Sequence, residues 1–159
     1  MRGHEYVRET VRTLLQLTVP DRLAAHLAAY SLASPDPGNL TFLLADGLQL
    51  VENFPVVIVR STDASDDTRT SDGTWRIGYD VEVIVACDYR VHGDSEGASK
   101  DRDRLLTAVR EAVYAADGLP EDVDFAPRNR PERTGAAEET RAGVPLAAVM
   151  PAAFYRALL

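Results

Sequence analysis

An α+β fold is what this sequence predicts: a mostly antiparallel sheet with a long central strand, packed by an amphipathic helix and N-terminal helices. Three observations carry that expectation. Trp75, Ile77, Tyr79, Val81, Val83, Val85 and Cys87 alternate with Arg76, Gly78, Asp80, Glu82, Ile84 and Ala86, a period of two that sends successive side chains to opposite faces of a strand. Leu105, Leu106, Val109, Ala112, Val113 and Ala116 recur at helical spacing, the apolar stripe of a helix lying on a core. The run PVVIVRS, Pro55 to Ser61, is β-branched and strand-like.

From the N-terminus, Val7, Val11, Leu14 and Leu15 form one apolar face, with Arg8, Glu9 and Arg12 between them. Thr18-Val19-Pro20-Asp21 then reads as a fresh helix start: a capping threonine, an early proline and an acid three residues after the cap. Leu23, Leu27 and Tyr30 continue a second apolar face. SPDPG, Ser34 to Gly38, is a loop. Asn39 to Val51 fits either short strands around the Asp46-Gly47 turn or a helical turn and a strand. Thr62 to Gly73, TDASDDTRTSDG, holds no large apolar residue and is expected to be a solvated loop joining two strands.

The long strand is expected over Trp75 to Val91, and both its faces turn apolar toward the end, as where a sheet is covered on both sides. After HGDSEG comes the helix bearing the Leu105 stripe. Lys100, Asp101, Asp103, Arg104, Arg110 and Glu111 are expected off that stripe, and Asp117-Gly118 with Pro120 should stop the helix. Residues 121 to 143 are polar and rich in proline, glycine and charge, which predicts an extended excursion that orders against a neighbour. A last strand is expected near Leu146 to Met150, with a short helical turn after Pro151.

Composition bounds the function. The chain has 159 residues, 45% hydrophobic and 26% charged, enough for one domain spanning 1–159 with a real core. No apolar run approaches the roughly 18 residues needed to cross a bilayer, so no membrane partner is expected. MRGHEYVRETVR lacks the apolar stretch of a signal peptide, which leads us to expect synthesis, and at first residence, in a cytoplasm. Twenty-five acidic residues against 17 basic ones give a net charge of −8, the wrong balance for gripping phosphates. Cys87 is the single cysteine and sits in an apolar run, where it should behave as a small buried hydrophobe. His4, His26 and His92 are far apart in sequence, so neither a metal nor any other cofactor is expected.

HGDSEG, His92 to Gly97, contains G-x-S-x-G, the pattern that presents a nucleophilic serine on a strand-to-helix turn. That hydrolase fold requires the order serine, acid, histidine, whereas every histidine here precedes Ser95. GDSEG also resembles the GDSGG around trypsin-like serines, and Ala24-Ala25-His26 the stretch around their histidine. But His26 lies in a helical pattern, LAAHLAAY, and GDSEG lacks the second glycine that shapes an oxyanion hole. The simpler reading is a helix start. Asp94 and Ser95 are favoured caps, Glu96 suits the positive end of the helix dipole, and Gly93 lets the chain turn. We therefore expect no enzyme, with a serine hydrolase using Ser95 as the remote alternative.

The order of elements points elsewhere. NFPVVIVRS, a polar loop, then YDVEVIVACDYRVHGDSEGASKDRDRLLTAVREAV resembles the tail terminator proteins of long-tailed bacteriophages. The resemblance runs from about Val51 to Tyr114. It lies in Pro55-Val56-Val57, Tyr79-Asp80-Val81, Arg90-Val91 before Gly93-Asp94, and Arg102-Asp103-Arg104-Leu105. It implies a virion protein of the neck, assembled in the host bacterial cytoplasm as a hexameric ring on the head-proximal end of the tail tube. Its implied partners are copies of itself, the major tail tube protein and the head–tail connector, and genome DNA passes through without specific binding. The alternative within this reading is another head–tail joining protein of the neck. A head-to-tail ring needs two unlike surfaces per subunit. Candidates are the helix face opposite Leu105 and Val109, the 121–143 excursion, and the 62–73 loop. That loop carries Asp63, Asp66, Asp67 and Asp72 against Arg69 alone, and is the first candidate for a DNA channel or an inter-subunit contact.

Overall fold

A computed structural model describes residues 3–45, 51–61, 67–69, 71, 73, 75–88, 95–126, 133–134 and 146–158. The fold is α+β. Helix α1 spans His4–Ala29 and α2 spans Ser95–Ala115. Among the described residues, seven strands form one sheet: β1 Thr41–Leu44, β2 Val56–Ser61, β3 Asp67–Arg69, β4 Trp75–Cys87, β5 Val123–Ala126, β6 Arg133–Thr134 and β7 Leu146–Leu158. Their order is β1-β2-β4-β7-β5, with β3 alongside β4 and β6 alongside β7. The sheet is mixed. β1 and β2 run parallel, and every other pair is antiparallel.

The long strand lies where the alternation puts it, in the middle of the sheet. Both helices pack on one of its faces. Val57, Val59, Tyr79, Val81, Val83 and Val85 meet the α1 stripe and Leu105, Val109 and Val113 of α2 in the main core. On the other face Val56, Ile58, Ile84 and Ala86 are fully buried and packed against Leu43, Ala45, Val51 and Phe54. That second cluster explains why the end of β4 is apolar on both sides. The strand stops at Cys87, short of the expected Val91.

The N-terminal segment forms one helix, not two. Thr18 caps nothing: its hydroxyl donates to the Leu14 carbonyl at 2.7 Å, one turn back. Pro20 sits inside α1, where it lacks an N–H for the carbonyl one turn earlier. The helix survives because Leu15, Val19, Leu23 and Leu27 are buried in one continuous stripe that crosses the proline. Burial of about 1.5–3 kcal/mol per large side chain offsets the break. α1 ends with Ser31 at φ 54 and the Leu32 N–H donating back to the Leu27 carbonyl at 2.8 Å, the left-handed closure that satisfies late helix carbonyls. α2 stops where expected, with Gly118 at φ 96.

Four further expectations are corrected. Within Thr62–Gly73, Asp67–Arg69 form a strand hydrogen-bonded to β4. The 121–143 excursion supplies two strands, β5 and β6, because the outer side of β7 offers unpaired backbone. Beyond Pro151 the chain stays extended to Leu158, with no helical turn, and pairs with β4 from Leu146↔Cys87 to Leu158↔Trp75. Among the described residues, Pro151 falls between the stretch of β7 paired with β6, up to Val149, and that paired with β5, from Ala153, a position where a missing N–H is tolerated. Finally, Asp101 is 2% exposed on the buried side of α2, in phase with Leu105. Asn39–Val51 resolves in part as β1; its Asp46-Gly47 turn lies outside the described residues.

Candidate functional site

Of the acidic channel candidates, Asp67 and Arg69 lie on β3 and face Ile77 and Trp75 of β4 in register. Asp63, Asp66 and Asp72 lie outside the described residues, as do Asp94 and His92. β3 is therefore held against the first residues of β4, at the end of the sheet where α1 begins and His4 meets Tyr79.

Ser95 is the first residue of α2, and the position before it, Asp94, lies outside the described residues. The next residue, Glu96, accepts a 2.7 Å bond from Lys100, one turn further along the helix. The two described histidines rest on tyrosines. The His4 ring meets Tyr79 edge-on at 4.9 Å, and the His26 ring tilts against Tyr30 at 4.9 Å.

One buried polar cluster among the described residues was not expected from the sequence. The Asp101 carboxylate, 3% exposed, accepts from the Ser34 hydroxyl at 2.7 Å and from the Arg104 guanidinium at 3.3 Å. Arg104 also donates to the Ser34 carbonyl at 2.7 Å. The loop after α1 is thereby tied to the first turns of α2. A neighbouring cavity of about 180 Å³ is lined by Ser34, Phe54, Cys87, Asp88 and Asp101. Burial, and then the Asp101 carboxylate, push the Cys87 thiol up to about 12. At neutral pH it is a protonated, unreactive thiol. Helical phase could have revealed Asp101, since it lies four residues before Leu105; its charge argued the other way.

On the sheet face away from the helices, Arg60 and Glu82 stand opposite each other in register. The Arg60 Nε donates to Glu82 Oε2 at 2.7 Å, with both side chains largely buried. This bond continues the pattern of the small apolar cluster into a charged pair. A groove of about 420 Å³ runs beside α1, between Thr10, Leu14 and Leu17 and the chain at Asp117–Pro120. It is bounded by a 2.9 Å bond from the Tyr6 hydroxyl to Asp122.

Among the described residues, no group of three or more His, Cys, Asp or Glu side chains is placed to hold a metal ion. Nor is any described helix long and apolar enough to cross a membrane. The arrangement as a whole defines an α+β protein with one mixed sheet and a helical layer on one of its faces. No known protein family's model matches the chain, and no curated protein is significantly similar to it.

Proposed function

We propose that this chain is a ring-forming neck protein of a long-tailed bacteriophage: a tail terminator that halts tube growth and joins the tail to the head connector, leaving a channel for DNA. The observation that carries this reading is the order of elements from Val51 to Tyr114. The stretch that resembles the tail terminators folds as β2, β3 and β4 in antiparallel pairing, followed by α2 packed back on the same sheet. The motifs at Pro55-Val56-Val57, Tyr79-Asp80-Val81 and Arg102-Asp103-Arg104-Leu105 thus lie on one sheet and the helix packed against it, while Arg90-Val91 and Gly93-Asp94 lie outside the described residues. Polar residues tie elements together, as Asp101 does with Ser34 and Arg104.

In this reading the acidic loop that includes β3 faces the channel. Carboxylates there repel the DNA backbone and leave genome passage free of binding sites. The test is electron microscopy of the purified full chain, alone and mixed with tail tubes. Closed rings, or caps on one end of tubes whose growth has stopped, are the expected result. A chain that stays monomeric and leaves tubes to grow past their normal length overturns the proposal.

A further inference from the structure

One edge of the sheet is built to be paired. β1 ends the strand order, and all four of its residues are partly buried. The Thr41 N–H donates inward to the Pro55 carbonyl of the β2 side at 3.0 Å. Backbone groups alternate in direction along a strand, so Thr41 and Leu43 face β2 while the N–H and C=O of Phe42 and Leu44 point away from it. Among the described residues no strand lies on that outer side. The segment Leu40–Ala45, LTFLLA, contains no charge and no proline, the devices that usually keep an edge from pairing. Its side chains are already committed inward: Phe42 and Leu44 pack on the helix-side core and Leu43 on the opposite cluster. What it offers outward is main chain.

From this geometry we infer that β1 pairs with β5 of a second copy of this chain, extending the sheet from one subunit into the next. The opposite edge fits in length and direction. β5 ends the strand order on the far side and, like β1, has four residues. β2 is parallel to β1, and the steps β2 to β4, β4 to β7 and β7 to β5 are each antiparallel. β5 therefore runs opposite to β1. A neighbour related by simple rotation meets β1 with an antiparallel strand, the more stable pairing. Two unlike edges on one subunit form a head-to-tail contact, which closes into a ring when the rotation closes. The inference rests on the ring reading above and assigns it a seam.

The test is amide hydrogen exchange on the full chain, dilute and assembled, as rings or on tubes. In the dilute protein the Phe42 and Leu44 amides should exchange fast beside protected Thr41 and Leu43. On assembly, Phe42 and Leu44 should slow by about tenfold or more. A variant pair adds an independent arm. Leu44→Ala keeps the outward N–H, whereas Leu44→Pro removes it without touching the bond to β2. Leu44→Pro should need about tenfold more protein than Leu44→Ala to assemble. Should Leu44→Pro fail to fold, as judged by circular dichroism, the exchange measurement on the unaltered chain decides. Assembly with Phe42 and Leu44 still exchanging fast overturns the β1 seam and leaves the ring standing. Failure to assemble alone or on tubes overturns the ring, and the seam with it.

Discussion

The Asp101 carboxylate and the Ser34 hydroxyl meet at 2.7 Å across 67 residues of chain. The contact joins the loop leaving α1 to the start of α2, and Arg104 closes it from a third direction. Asp101→Ala removes a buried acceptor and leaves Arg104 half-paired. We expect a loss of about 2–3 kcal/mol in urea unfolding. A loss under about half a kcal/mol would mean that the cluster forms without stabilising the fold.

Leu105 is fully buried where α2 meets the sheet. Leu105→Ala should cost about 2–5 kcal/mol, as large-to-small core changes do. Chemical denaturation reads it directly, and a near-neutral result would detach α2 from the core.

Ser95 opens α2. Ser95→Ala should therefore cost about 1 kcal/mol or less, the size of a lost cap, and should leave assembly unchanged. A fluorophosphonate probe is expected to leave the protein unlabelled. Labelling at Ser95 would reinstate the hydrolase reading.

Cys87 gives a pH signature. Its folded-state value of about 12 lies above the ordinary 9.0, so the folded protein holds the thiol proton more tightly than the unfolded chain does. The stability linked to that proton is intact below pH 9 and is lost progressively between about 9 and 12. Cys87→Ala should flatten this part of the stability–pH curve. Thiol reagents should modify the native protein only at the rate at which it opens. Fast labelling at pH 8 would show that the thiol is accessible.

The acidic loop offers the functional test. If the proposed neck role holds, replacing Asp63, Asp66 and Asp67 with lysine should leave tails terminated and joined to heads, yet reduce DNA ejection, most strongly at low salt. Normal ejection at low salt would move these acids out of the channel.

What could be read from the sequence follows from which residues lie on a half-buried surface. β4 has one face on the helices, so its alternation is clean and its start at Trp75 was visible; its end at Cys87 was not, because the apolar run beyond the alternation suggested Val91. The partners Val57, Val59, Leu105, Val109 and Val113 were legible for the same reason. Local signals misled where tertiary burial overrode them. Thr18 and Pro20 look like a helix start, yet the stripe from Leu15 to Leu27 carries the helix through. Beyond Pro151, AAFYRAL has no sharp period, and its strand state comes from the β4 backbone beside it. The parallel direction of β1 was not legible, because it depends on how the chain crosses from Leu44 to Val56. Asp101 was misplaced because a carboxylate's usual place is solvent, and only Ser34 and Arg104 make its burial tolerable.

The pairing of β4 with β7 also sets an order of events. β4 is flanked on one side by β2, its near neighbour in the chain, and on the other by β7, which emerges only after residues 88–145 have been made. During synthesis the middle strand of the sheet is therefore, for a time, an edge of thirteen residues. Such an edge is open to any extended chain it meets, and long-range pairing of this kind closes slowly. Nascent chains held close together on one messenger are the setting in which wrong pairing would begin. Chaperone demand and yield should then track how quickly β7 arrives, more than how stable the finished protein is.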